Sequence, residues 1–204
     1  MDVVVYLVED HLPSLEYFAW TLSEAGYDVR SFSQPKDVVL HFESRLPSCL
    51  VLDLVLPEGN AVSLYKDLAR NRACRSPYSV ISGRGTVSDA VQAMKCGAID
   101  FLEKPIEGPR LVKCVEKMIQ LERNRRSIEH GKSDLLHRLA TLTSRERDIL
   151  GHVVQGELSK NIGAHFGISG KTVDVHRSNI NRKLGVDGTV QLVRRLHDFD
   201  IKVG

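Results

Sequence analysis

The chain lacks any long apolar run. No segment approaches the ~20 consecutive apolar residues that a membrane span needs, so no membrane partner is expected. The first residues, Met1-Asp2-Val3-Val4-Val5-Tyr6, lack a basic stretch and meet Glu9 and Asp10 at once, so no signal peptide is expected either. Cysteine is scarce and scattered. Cys49, Cys74, Cys96 and Cys114 stand 25, 22 and 18 residues apart, and none forms a C-x-x-C pair. That spacing argues against a zinc cluster or a disulfide scaffold. Internal repeats and low-complexity tracts are missing too. These absences point to a reduced, soluble, cytoplasmic protein. What is present is ordinary globular material: 204 residues, 42% hydrophobic and 26% charged, enough for one large domain or two small ones.

Charge is unevenly placed. Residues 1–104 carry 10 Lys/Arg against 14 Asp/Glu, a balance of −4, whereas residues 105–204 carry 18 against 12, a balance of +6. An acidic half joined to a basic half suggests that only the second meets a polyanion.

The acidic half alternates strand and helix patterns. Short apolar runs begin near Val3, Asp28, Cys49, Tyr78 and Ile99. The first and third are nearly continuous, as in parallel strands covered on both faces. Between the runs, apolar residues recur at i, i+3, i+4, i+7: Leu15, Phe18, Ala19 and Leu22; Ala61, Leu64, Tyr65 and Leu68; Val87, Ala90, Val91 and Met94; Leu111, Cys114, Val115 and Met118. Each set shares one helix face, and a further helix is expected around residues 34–43. Five βα units imply a doubly wound α/β domain over residues 1–121. From Glu122 the apolar pattern fades and Gly131 interrupts it, so residues 122–137 read as a solvated, partly helical linker. Residues 138–204 show no strand signal and form a second, all-α domain. Thr143-Ser144-Arg145-Glu146 is a capping-box pattern, and Ser169 is placed to cap a later helix.

Ligands of open α/β sheets sit at the carboxyl ends of the strands. Glu9 and Asp10 end the first strand, Asp53 the third, Ser82 the fourth, and Lys104 the fifth. With neighbouring strands ~5 Å apart, these side chains converge. Three carboxylates without histidine or cysteine suit a hard cation, Mg²⁺ first. Lys104 and Ser82 can hold phosphoryl oxygens, and Asp53 can act as a nucleophile that forms an acyl phosphate.

Val8-Glu9-Asp10, Val51-Leu52-Asp53-Leu54-Val55-Leu56-Pro57, Val80-Ile81-Ser82-Gly83 and Phe101-Leu102-Glu103-Lys104-Pro105 resemble the receiver domain of two-component response regulators. The resemblance implies phosphorylation of Asp53 by a histidine kinase. It also implies a Mg²⁺ site made by Glu9, Asp10, Asp53 and the Val55 backbone carbonyl, and a phosphoryl cradle of Ser82 and Lys104. Ser82 and Phe101 would be the switch residues, and the Lys104–Pro105 bond would be cis. The sequence departs from that family at Pro57-Glu58-Gly59-Asn60-Ala61, where the glycine is shifted and Ala61 stands at a common glycine position. Two rival sites are poorer fits. Gly83-Arg84-Gly85-Thr86-Val87-Ser88 lacks the third glycine of a dinucleotide fingerprint and follows the wrong strand. An aspartyl-phosphate phosphatase would want a second Asp where Val55 stands, so no enzyme is expected.

In the basic half, two helices joined by the turn at Gly167-Ile168-Ser169 form a helix-turn-helix pattern. Val173, His176, Ile180 and Leu184 share the inward face of its second helix, and Lys171, Asp174, Val175, Ser178 and Arg182 lie on the other. Asp can accept from cytosine N4 and Val can meet a thymine methyl, while Arg177, Arg182 and Lys183 reach phosphates. Leu142-Thr143-Ser144-Arg145-Glu146-Arg147-Asp148-Ile149-Leu150, Ser159-Lys160-Asn161-Ile162 and Ile168-Ser169-Gly170-Lys171-Thr172-Val173-Asp174-Val175-His176-Arg177 resemble the LuxR-type DNA-binding domain. The residues then expected on DNA are Lys160, Lys171, Thr172, Asp174, Val175, Arg177, Ser178, Arg182 and Lys183. Gly163 departs from the usual alanine and reads as a cost to its helix of ~1 kcal/mol.

A receiver followed by this domain is the pattern of the NarL/FixJ family, here its FixJ-like branch. It implies a phosphorylation-dependent transcription regulator with a histidine kinase, double-stranded DNA carrying an inverted repeat, a second copy of the chain and RNA polymerase as partners. The last helix, 189–199, would place Val190, Val193, Leu196 and His197 on one side and pair two such domains. The alternative is a receiver-type adaptor whose helical domain binds protein rather than DNA.

Overall fold

The computed structural model describes residues 3–57 and 59–203. Met1, Asp2 and Glu58, used in the sequence reading above, lie outside them. The chain divides into two compact units, residues 1–126 and 127–204. In chain order the first unit reads β1 (Val4–Val8), α1 (Leu12–Glu24), β2 (Asp28–Phe32), α2 (Pro35–His41), β3 (Ser48–Asp53), β4 (Val55–Leu56), β5 (Gly59–Asn60), α3 (Ala61–Asn71), β6 (Tyr78–Ser82), α4 (Val87–Lys95), β7 (Phe101–Glu103) and the first part of α5 (Gly108–Ala140). The second holds the rest of α5, then α6 (Ser144–Val154), α7 (Ser159–Phe166), α8 (Gly170–Leu184) and α9 (Thr189–Asp198). Among the described residues, no helix is long and apolar enough to cross a membrane.

The first unit is the doubly wound α/β fold expected. Its parallel sheet has the order β2-β1-β3-β6-β7, in the register Val8↔Leu52 and Asp53↔Ile81. Every residue of β1, β3 and β6 is buried, which is why their apolar runs are unbroken. Alternate side chains divide between two cores. Tyr6, Val8, Leu50, Leu52 and Val80 pack with Val38 of α2, Leu64 and Leu68 of α3, and Ala93 of α4. Val5, Leu7, Val51 and Ile81 pack with Leu15, Phe18 and Leu22 of α1 and with Leu111, Val115 and Met118 of α5. The strand order reverses between β1 and β3, and this opens a crevice at their carboxyl ends. The shifted glycine after Pro57 belongs to a short antiparallel hairpin, β4–β5, absent from the sequence reading. Asn60 then caps α3 by accepting from the Ser63 amide, while the Ser63 hydroxyl accepts from the Asn60 amide.

Three elements add to the reading from sequence. Helix α4 forms with Val87, Ala90, Val91 and Met94 on one face, and that face points outward: Val87 is 83% exposed, Val91 and Met94 are also exposed, and only Ala93 is buried. Residues 122–137, expected as a solvated, partly helical linker, lie wholly within α5, and most of their side chains are exposed. Glu122 is fully buried and accepts from Arg125 (Nε, 2.9 Å; Nη2, 2.8 Å) and Arg126 (Nε, 2.6 Å). Arg126 also donates to the carbonyls of Ser44, Arg45 and Leu46, so Glu122, Arg125 and Arg126, near the start of the segment, form an anchored network. In α9 the inward residues are Leu192 and Leu196, while Val190 is 85% exposed and His197 is exposed. A Leu pair four residues apart carries more apolar surface inward than the Val190 face could.

The second unit packs its helices around Leu135, Ile149, Leu150, Ile162, Val173, Ile180, Leu184, Leu192 and Leu196. Its helix starts are those the sequence marks. Thr143 and Glu146 form a reciprocal capping box on α6, and Ser169 accepts from the Thr172 amide to cap α8. Gly167 and Gly185 end α7 and α8 in the left-handed region, with φ of 67° and 63°. Gly131 and Gly163 are close-approach residues. A methyl on Gly131 would stand 2.9 Å from Cζ of Phe199, and one on Gly163 would stand 2.6 Å from the Ile168 carbonyl oxygen. At Gly163 the helix penalty is therefore offset by the tight turn into α8, and alanine would not be an improvement.

Candidate functional site

The crevice at the carboxyl ends of the strands collects the polar residues of the first unit. Glu9 and Asp10 follow β1, Asp53 ends β3, Ser82 ends β6, and Lys104 directly follows β7 and is joined to Pro105 by a cis bond. They line one cleft of about 420 Å³, together with His11, Ser14, Val55, Gly83 and Arg84. Glu9 and Ser82 are buried, Asp53 is 7% exposed and Asp10 is exposed. The Lys104 ammonium donates to Glu9 Oε2 at 2.6 Å and stands 3.1 Å from Asp53 Oδ1. Glu9, Asp10 and Asp53 each present a carboxylate oxygen, and these three atoms lie within 4.8 Å of one another.

Burial pushes the carboxyls of Glu9 and Asp53 up from the usual range. The charge of Asp53 adds to this at Glu9 and that of Asp10 at Asp53, while Lys104 opposes it at both. Burial pulls Lys104 down, but its bonds to Glu9 and Asp53 outweigh that and hold it above its ordinary value. The pocket therefore carries more negative charge than one lysine balances. A hard divalent cation fits it, because all three donors are carboxylate oxygens close enough to share one ion.

One residue of the site escaped the sequence reading. Gly85 stands in the β6–α4 loop, where a methyl group would lie 2.6 Å from Phe101 Cζ, 2.9 Å from Ser82 Oγ and 3.2 Å from Leu54 Cδ2. The second glycine of the poor dinucleotide match is thus required by packing. Gly85 lets this loop pack on Ser82 and Phe101. The Ser82 hydroxyl accepts from the Arg84 amide at 3.2 Å.

In the second unit, Lys160, Lys171, Thr172, Asp174, Val175, Ser178 and Arg182 are all exposed, around the start of α7 and along one side of α8. Exposed Leu158 joins Val175 as a second apolar contact on this surface. Two of the expected phosphate contacts, Lys183 and Arg177, make hydrogen bonds within the unit. Lys183 donates to Glu146 Oε2 at 2.6 Å, and Glu146 is almost wholly buried. Arg177 is half-buried and donates to Ser159 Oγ at 3.3 Å and to Thr189 Oγ1 at 3.0 Å. Arg182 donates to Asn179 Oδ1 on its own helix at 3.1 Å, while its side chain remains exposed.

Residues 5–116 match the family model described as the response regulator receiver domain, and residues 140–196 match that of the bacterial regulatory proteins of the luxR family. The chain is 35% identical over 189 residues to the transcriptional regulatory protein TdiR of Thauera aromatica, covering 93% of this chain and 83% of that protein. It is 33% identical over 193 residues to the transcriptional regulatory protein FixJ of Rhizobium meliloti, covering 95% and 94%. Among solved structures, the response regulator StyR aligns with a TM-score of 0.83 at 31% identity, covering 97% of this chain and 99% of that one.

Proposed function

Because the chain belongs to the NarL/FixJ-type response regulators, transcription regulators under phosphorylation control that join a receiver to a luxR-family DNA-binding domain, we propose that Asp53 is its phosphoacceptor and α8 its DNA-reading helix. The observation that carries the first assignment is the convergence of Asp53, Glu9, Asp10, Ser82 and Lys104 in one cleft. A carboxylate oxygen of Asp53 attacks the phosphorus of a phosphohistidine on the kinase. The new P–O bond forms as the P–N bond breaks, and the imidazole leaves. Lys104 is within reach of Asp53 and binds one phosphoryl oxygen, and the Ser82 hydroxyl donates to another. Glu9, Asp10, Asp53 and the Val55 carbonyl would hold Mg²⁺, which when bound offsets the repulsion between Asp53 and the incoming phosphoryl group.

The switch follows from charge. The phosphoryl group adds up to about two negative charges beside Lys104. When the ammonium and the Ser82 hydroxyl turn to it, Phe101 turns into the space that the hydroxyl vacates. Gly85→Ala places a methyl group against both side chains, 2.6 Å from Phe101 Cζ and 2.9 Å from Ser82 Oγ, and forces them from their places. It is expected to slow phosphorylation by about tenfold or more, since displacement of a reacting group by ~1 Å can cost ~100-fold. Initial rates of phosphoprotein formation would check this, with far-UV circular dichroism confirming an intact fold. Wild-type rates would mean that Ser82 and Phe101 are not the moving parts.

Phosphorylation would then pair two receivers through the face of α4, β7 and α5. The outward stripe of Val87, Val91 and Met94 on α4 supports this reading, since an apolar stripe without a partner is otherwise costly to expose. The paired chains would bring two α8 helices to half-sites ~10 bp apart on an inverted repeat, with RNA polymerase as the later partner. The exposed cations of α7 and α8 support DNA over a protein partner. Duplex binding by the full chain is expected to weaken steeply with salt, as counterion release requires. Affinity that ignores salt, or no affinity for any duplex, would favour the adaptor reading instead.

A further inference from the structure

On the reading that α8 enters the major groove, we infer that Ser159 is the positioning residue that makes Asp174 a base-specific acceptor. Asp174 lies on the exposed side of α8, where an unrestrained carboxylate samples several rotamers and reads nothing in particular. Here it is held. The Ser159 hydroxyl, on α7, donates to Asp174 Oδ1 at 2.6 Å. That hydroxyl accepts in turn from Arg177 Nη1 at 3.3 Å, and Arg177 Nη2 donates to Thr189 Oγ1 at 3.0 Å. A hydroxyl that accepts from a guanidinium is a stronger donor to the next acceptor.

The chain of bonds therefore runs from the first residue of α9, through α8, to the first residue of α7, and back to α8 at Asp174. It fixes the carboxylate from outside its own helix. One oxygen is committed to Ser159, and the other is left to accept. An ionised carboxylate only accepts, so it favours an exocyclic amino group in the groove, cytosine N4 or adenine N6, and disfavours the O6 of guanine and the O4 of thymine. This also accounts for Arg177, expected at a phosphate, being half-buried and engaged within the unit: it holds Ser159 in place. Ser159 is not the cap of α7. Leu158 occupies that position, and no side chain caps the helix there. Removing the hydroxyl therefore leaves helix capping untouched.

The test is selection from randomised duplexes by the full chain, phosphorylated with acetyl phosphate, comparing wild type with Asp174→Ala, Ser159→Ala and Ser159→Thr. Asp174→Ala identifies the operator position that Asp174 reads, by flattening the preference there. Ser159→Ala is expected to lower discrimination at that same position by about fivefold, the worth of one net hydrogen bond, and to leave the other positions unchanged. Ser159→Thr, which keeps the hydroxyl, is expected to restore it. Full discrimination in Ser159→Ala would overturn the proposal, as would an equal loss of affinity for every sequence, the mark of a merely structural residue. If Asp174→Ala itself leaves every position unchanged, the reading of α8 fails, and the role of Ser159 with it.

Discussion

Asp53→Asn is expected to abolish phosphoryl transfer to this chain, because the only proposed nucleophile becomes an amide. Incubated with acetyl phosphate or a histidine kinase and Mg²⁺, the wild-type chain should take up an acid-stable, base-labile label in the peptide that contains Asp53. The variant should take up none. Its fold should survive and gain a little stability in the absence of metal. Burial and the charge of Asp10 both push the Asp53 carboxyl upward, so the folded protein holds that charge at a cost. For such a raised acid the cost is complete above the raised value and is relieved as the pH falls through it. Asparagine removes the cost at all pH values. Label retained in the Asp53→Asn chain would remove Asp53 from the mechanism.

Lys183→Met is expected to destabilise the second unit by about 2 kcal/mol, below the ~3–5 kcal/mol typical of breaking a fully buried pair, because the lysine is partly exposed. The substitution leaves Glu146 buried without its cation. That carboxylate also accepts from the Thr143 amide at 2.8 Å and from its hydroxyl at 3.0 Å, so it joins the cap of α6 to the end of α8. Burial alone would raise the Glu146 carboxyl. The Lys183 bond and the Thr143 cap outweigh it and hold the group below its ordinary value. A depressed acid stabilises the fold above its unfolded value, and that stability is lost as the pH falls through the depressed one. Thermal melts should show the Lys183→Met transition lowered near neutral pH and converging on wild type in acid. A purely phosphate-binding Lys183 would leave the melt unchanged and reduce only affinity for DNA.

The same pair marks where reading from sequence stops. Lys183 carries a charge at a plausible spacing, and nothing local distinguishes a cation aimed at phosphate from one bonded to a carboxylate 37 residues away. The bonds of Arg177 to Ser159 and Thr189, 18 and 12 residues away, are hidden from the sequence for the same reason. Arg126 reads as solvated charge because it donates to carbonyls about 80 residues distant. The cleft, by contrast, was legible from strand ends alone. Adjacent parallel strands bring their last residues together whatever the helices do, so Glu9, Asp10, Asp53, Ser82 and Lys104 had to meet. Helix α4 was legible as a helix but not in its orientation. Its period is clear, yet Ala93 rather than the larger Val87, Val91 and Met94 sits against the sheet. Gly85, Gly131 and Gly163 share a further blindness. Each is explained by what a methyl group would strike, and that is visible only once the neighbours are in place.

The central claim is that phosphate on Asp53 governs DNA binding by α8, and operator affinity measured with and without phosphodonor tests it most directly. Fluorescence anisotropy on a selected inverted-repeat duplex, at one fixed salt concentration, should show the wild-type chain binding at least about tenfold more tightly once acetyl phosphate and Mg²⁺ are present, the scale on which allosteric coupling operates. Asp53→Asn should give the weaker affinity under both conditions. Wild-type affinity that does not change with phosphodonor, although Asp53 is demonstrably labelled, would contradict the account.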